Sequence, residues 1–189
     1  MTRPAVFLDR DGTLNRERGY IADPRDLEVW PTARNALKRL DHAGWPLVVV
    51  TNQGGLAFGL YSPAVLARIH ADLHAALDGL PRGYFHCPHH TEAPAGGGYE
   101  GPCACRKPAD GMLRQAARVL DLSLAGSVII GDSARDLLMA RGHGMRTVLV
   151  RSGKPWHQEL EKLVAAGAAP HTIVDDIGSA ADWLLDPAR

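Results

Sequence analysis

Phe7-Leu8-Asp9-Arg10-Asp11-Gly12-Thr13 reads as the end of an apolar strand that carries two aspartates spaced i, i+2 and turns at once through Gly-Thr. In open α/β folds, ligands bind outside the carboxyl ends of the strands, which is where these side chains fall. Such a pair suits a particular chemistry. One carboxylate can attack phosphorus and split a hard displacement into two easier ones. A second carboxyl can give a proton to the leaving oxygen, then take one from the water that hydrolyses the intermediate. Mg²⁺ bridging carboxylate and phosphoryl oxygens offsets the repulsion between them. Gly12 permits a turn that keeps the backbone close to a phosphate.

Outward from this segment the chain alternates short apolar runs with longer helical patterns, the signature of an α/β fold with a mostly parallel central sheet. Strands are expected at Ala5–Leu8, Leu47–Thr51, Tyr84–His86, Val128–Gly131, Thr147–Val150 and Thr172–Val174. Leu47-Val48-Val49-Val50 is continuously apolar, as a central strand buried on both faces requires. Helices are expected at about Thr32–Ala43, Pro63–Leu77, Gly111–Leu120, Ala134–Arg141, Trp156–Ala166 and Gly178–Leu185. Thr32 and Ser62 stand as N-caps, Pro63 at a first helical position and Gly44 just past a helix end. With no repeat and no linker, residues 1–189 read as one domain.

Three further segments put polar groups at the same sheet edge. Thr51-Asn52-Gln53-Gly54 ends the second apolar strand with a hydroxyl and two amides. Arg106-Lys107-Pro108 supplies two cations before a helix, and Lys107 suits a phosphate as a point charge. Gly131-Asp132-Ser133-Ala134-Arg135-Asp136 ends another strand and opens a helix. There Asp132 can complete a Mg²⁺ site or simply cap the helix, and Asp136 follows one turn later on the same face.

Residues 86–108 resist assignment, being rich in Pro, Gly, Cys and His. A loop this long is functional or held by something. All three cysteines lie here: Cys87, Cys103 and Cys105. With one imidazole from His89 or His90, and with His86 also close, they make the four-ligand shell of a closed, structural Zn²⁺ site. Cysteines at i, i+2 pair poorly as a disulfide, and one thiol would be left over. The metal would tie the loop's ends together and place Arg106 and Lys107.

Composition narrows the partners. Lys+Arg and Asp+Glu both number 21, so no net charge argues for a nucleic-acid partner. The apolar run after Met1 is too short for a signal-peptide core, and no stretch approaches the roughly 18 apolar residues of a membrane span. A cytoplasmic, soluble protein with no membrane or nucleic-acid partner is expected. Hydrophobic residues make up 46% and charged residues 22%, which fits a buried core and not disorder.

Taken together, the four segments resemble the haloacid dehalogenase superfamily over nearly the whole chain, in the expected order. The resemblance implies a Rossmann-like three-layer sandwich, with Asp9 as nucleophile and Asp11 as general acid/base. It implies Thr51 and Lys107 on the transferring phosphoryl group, and Mg²⁺ on Asp9, the backbone carbonyl of Asp11, and Asp132. Asp136 would stand behind these as a water-mediated or outer partner. Too little chain separates Asp11, Thr51 and Lys107 for a large cap domain, so an open site and a monomer are expected.

Within the superfamily, Gly19-Tyr20, the Thr51-Asn52-Gln53 segment, Cys87-Pro88-His89-His90, Cys103-Ala104-Cys105-Arg106-Lys107-Pro108 and Arg151-Ser152-Gly153-Lys154-Pro155 are similar to the heptose-bisphosphate phosphatases and their histidinol-phosphatase relatives. That similarity implies Zn²⁺ on Cys87, His89, Cys103 and Cys105. It implies substrate contacts from Arg18, Gly19, Tyr20, Asn52, Gln53 and Arg106, and a phosphorylated sugar losing its 7-phosphate. The alternatives are histidinol phosphate, a polynucleotide 3′-phosphate, or a zinc-stabilised binding module without catalysis. Two departures stand out: Gly54-Gly55 follows Gln53 where a Ser-Gly pair is common, and Ser133 stands where some members carry Lys.

Overall fold

A computed structural model describes residues 2–188. In chain order it contains β1 (Arg3–Leu8), α1 (Ala33–His42), β2 (Leu47–Asn52), α2 (Pro63–Ala76), β3 (Gly83–Cys87) and α3 (Gly111–Val119). Then follow β4 (Leu122–Gly131), α4 (Ala134–Leu138), β5 (Arg146–Val150), α5 (Trp156–Ala165), β6 (Thr172–Val174) and α6 (Ile177–Leu185). The strands form one six-stranded sheet in the order β3-β2-β1-β4-β5-β6, with every pairing parallel.

The β1 strand shows why this becomes a three-layer sandwich. Successive side chains of a strand point to opposite faces. Val6 and Leu8 join the layer built with Leu37, Leu40 and Ala180 on one face. Ala5 and Phe7 join the layer with Met112, Leu113 and Ala116 of α3 on the other. Both faces are covered, so the strands of the centre are apolar without alternation.

The chain reverses direction of growth between β1 and β4. Leu8 lies beside Val49 of β2 on one side and Ile130 of β4 on the other. The residues that follow β1 and β4, and the end of β2, therefore meet at one crevice, the topological switch point.

Three details differ from expectation. β4 begins at Leu122, not Val128, because Leu122 and Ser123 pair with Arg3 and Pro4 before a register shift. α4 stops at Leu138, not Arg141, since Ala140 and Arg141 close onto the carbonyls three residues back. Thr32 makes no capping bond to α1; its hydroxyl donates to Asp176 instead. Ser62 does cap α2, accepting from the Val65 amide. No helix of the described residues is long and apolar enough to cross a membrane.

Candidate active site

The strand ends deliver their side chains to one cavity of about 340 Å³, lined by Asp9, Asp11, Thr51, Gln53, Lys107 and Asp132 among others. At its floor, the Lys107 ammonium lies 2.7 Å from Asp9 Oδ1 and 2.8 Å from Asp136 Oδ1. Asp136 Oδ2 accepts from the Ser133 amide and hydroxyl at the start of α4, so both its oxygens have partners. Asp132 Oδ2 accepts from the Lys154 amide at 3.0 Å.

The electrostatics follow from three buried carboxyls close together, two of which share the Lys107 ammonium. Burial, with the Asp136 charge and a smaller push from Asp11, lifts Asp9 to about 7 against the pull of Lys107. Burial, then Asp136 and Asp9, carry Asp132 well above the ordinary range. For Asp136, burial alone pulls upward, but Lys107 and the Ser133 hydroxyl outweigh it and hold the carboxyl low. Lys107 itself is held above its ordinary value by the two aspartates despite burial.

Excess negative charge of this kind suits a divalent cation. Oxygens of Asp9, Asp132 and Asp136 all lie within 4.8 Å of one another. The cradle around them needs backbone without side chains. A Cβ on Gly12 would fall 2.3 Å from Asp132 Oδ2 and one on Gly153 2.0 Å from it. Gly12 also has φ +83, which favours glycine. The donor set of hard oxygens fits Mg²⁺.

The cysteines converge as well. Cys105 Sγ lies 3.1 Å from Cys87 Sγ and 3.3 Å from Cys103 Sγ, and Cys87 and Cys103 are 3.5 Å apart. His89 Nδ1 sits 3.5 Å from Cys105 Sγ and 3.8 Å from Cys87 Sγ. A zinc tetrahedron with bonds of ~2.3 Å has edges of roughly 3.8 Å, so this cluster is compatible with Zn²⁺. The spacing left two histidines open, and the structure separates them. His89 enters the thiol cluster, whereas His90 packs on Phe58 and lines the cavity. The Arg106 guanidinium donates to the His89 carbonyl at 2.8 Å, joining the cluster to the cavity wall.

The expected substrate contacts divide. Gly19, Tyr20 and Arg106 line the cavity. Arg18 is exposed, pairs with Glu28 at 2.6 Å and is not among the lining residues. Asn52 lines it too, yet its amide is engaged by the backbone of Lys107, accepting from the amide at 3.1 Å and donating to the carbonyl. Gln53 is buried, and its side chain bonds Asp11, Thr51 and Tyr61. Glu17, His90, Arg135 and Lys154 also line the cavity. The sequence reading gives none of the four a contact in this cavity, although His90, Arg135 and Lys154 lie within segments quoted above, which were the available signal; Glu17 belongs to no recognisable spacing.

Comparison with known proteins agrees with this geometry. Residues 104–180 match the HAD-hydrolase-like family model. The D-glycero-beta-D-manno-heptose-1,7-bisphosphate 7-phosphatase of Vibrio cholerae is 37% identical over 98% of this chain and 98% of its own length. That of Haemophilus ducreyi is 41% identical over 86% of this chain and 91% of its own. The crystal structure of the D,D-heptose 1,7-bisphosphate phosphatase from B. bronchiseptica, complexed with magnesium and phosphate, matches with a TM-score of 0.80 at 36% identity, covering 96% of this chain and 98% of that one. The chain belongs to the haloacid dehalogenase-like hydrolases and, among these phosphoric monoester hydrolases, to the heptose-bisphosphate phosphatase family.

Proposed function

We propose that this chain removes the 7-phosphate of D-glycero-D-manno-heptose 1,7-bisphosphate, in the formation of nucleotide-activated heptose for lipopolysaccharide or related glycans. The observation that carries the reading is the floor of the cavity: Lys107 between Asp9 and Asp136, with Asp132 and Thr51 beside them. Similarity to heptose-bisphosphate phosphatases over most of the chain supports the substrate.

An Asp9 oxygen attacks phosphorus as the bond to the sugar oxygen breaks, giving an aspartyl-phosphate. Asp11 gives the leaving oxygen its proton, then takes one from the water whose attack releases phosphate and restores the Asp9 carboxylate. Lys107 and Thr51 hold phosphoryl oxygens in line. Mg²⁺, when bound, supplies charge that offsets the repulsion between carboxylate and phosphoryl oxygens. Asp9, the Asp11 carbonyl and Asp132 would hold it, with Asp136 one layer out. Zn²⁺ on Cys87, His89, Cys103 and Cys105 would brace the loop that presents Arg106 and Lys107. Residues 1–189 would act as one domain and a cytoplasmic monomer.

The test is phosphate release with Mg²⁺ from both anomers of heptose 1,7-bisphosphate, histidinol phosphate and a 3′-phosphorylated oligonucleotide. A heptose bisphosphate is expected to lead in kcat/KM by at least about tenfold, roughly 1.4 kcal/mol of transition-state binding. Histidinol phosphate leading would keep the mechanism and overturn the substrate.

A further inference from the structure

We infer that Tyr61 and Gln53 are positioning residues that set the proton arrangement of the reaction centre, a role that rests on the functions proposed for Asp11 and Thr51. Tyr61 is buried, and its hydroxyl donates to Gln53 Oε1 at 2.7 Å. Gln53 Nε2 then donates in two directions, to Asp11 Oδ2 at 3.0 Å and to Thr51 Oγ1 at 2.9 Å.

Each link constrains the next. The Asp11 carboxylate can only accept, so Gln53 turns its Nε2 to Asp11 and its Oε1 to Tyr61, whose hydroxyl donates there and holds the amide in that orientation. The reversed amide would press a carbonyl oxygen against the Asp11 carboxylate and draw the Thr51 O–H away from the cavity to that oxygen. With the amide so fixed, Thr51 Oγ1 is an acceptor from Gln53. Its own O–H is then free to donate into the cavity that Thr51 lines, where a phosphoryl oxygen would sit. Asp11 is fixed by the same amide, together with the Arg10 guanidinium at 3.0 Å and the Asn15 amide at 2.9 Å. The Tyr61–Gln53 pair thus helps to orient both the acid/base carboxyl and the hydroxyl of the phosphoryl pocket.

The fold makes room for this phenol. A Cβ on Gly55 would lie 2.3 Å from Tyr61 Cε1, so the ring reaches Gln53 only over a glycine. Burial pushes the Tyr61 phenol up to about 12, which keeps the hydroxyl a donor at any working pH.

The test compares Tyr61→Phe with the unaltered protein on two phosphomonoesters, heptose 1,7-bisphosphate and p-nitrophenyl phosphate. The alkyl ester needs a proton at its leaving oxygen, whereas nitrophenolate leaves with little help. Tyr61→Phe should lower kcat on the alkyl ester by about tenfold or more, and by less on the aryl ester. KM should stay within about twofold, as expected when a transition-state interaction is removed. Gly55→Ala, which displaces the ring, should reproduce that unequal loss. An unchanged kcat in Tyr61→Phe overturns the proposal. So does an equal loss on both esters with a lowered melting temperature, which would mark a merely structural contact. Asp11→Asn in the same assay separates the two levels: full activity there removes the acid/base role itself, whatever Tyr61→Phe does.

Discussion

Lys107 is buried between two carboxylates, and its ammonium is the group that lets them coexist. Asp9 is nevertheless lifted to about 7, because burial and the Asp136 charge outweigh that ammonium. A nucleophile must be ionised at working pH, so a further positive charge beside Asp9 favours the reactive form. The consequence for Asp9→Asn is specific. Turnover should fall by at least about 10³-fold, because no carboxylate remains to form the acyl phosphate. The apo protein should keep its melting temperature or gain, since one of three crowded negative charges is gone. Phosphate release and thermal melts check both halves, and substantial residual activity would remove Asp9 from the nucleophile role.

The helices were legible from their caps and apolar spacing, but one cap is shared across the molecule. Asp176 caps α6 by accepting from the Ser179 amide and also accepts the Thr32 hydroxyl, which a reading of α1 alone assigns to α1 itself. Burial lifts this carboxyl, but the Ser179 amide and the Thr32 hydroxyl outweigh it and hold it below the ordinary range. A group with a depressed folded value adds stability above its unfolded value, and that stability is lost as pH falls through the folded value. Asp176→Ala should therefore cost about 1 kcal/mol at neutral pH. The gap from the unaltered protein should narrow as pH falls below about 4. Denaturant midpoints at the two pH values measure it; a gap independent of pH would show that the charge is immaterial.

At the scale of the whole molecule, the cysteine cluster ties the end of β3 to the segment that carries Arg106 and Lys107. Asn52 adds a second tie by bonding the Lys107 backbone from the end of β2. Removing one thiol should loosen this wall of the cavity without touching the acidic wall. Cys103→Ser is expected to lower zinc stoichiometry and cost several kcal/mol, in line with metal sites that contribute to folding. Mg²⁺ affinity should change far less. Metal analysis, melts and a Mg²⁺ titration check this, and a full complement of zinc in the variant would contradict the site.

The amino-acid order by itself determined the parallel α/β plan, because apolar runs and helical spacing recur with their caps. It also pointed to the candidate site, because Asp9, Asp11, Thr51, Lys107 and Asp132 each follow a strand or precede a helix at the edge where a parallel sheet gathers them into one cavity. Choices among near neighbours do not follow from spacing, and the tertiary structure displays them. His89 and His90 are adjacent, yet one turns to the thiols and the other to the cavity. Asn52 and Gln53 look like substrate ligands in a strand-end triplet, but their amides are engaged by Lys107, Asp11 and Tyr61. The physical reason is that a hydrogen bond depends on where partners lie in space. Lys107 is distant in the chain from Asn52, and no local pattern records the approach of Tyr61 over Gly55.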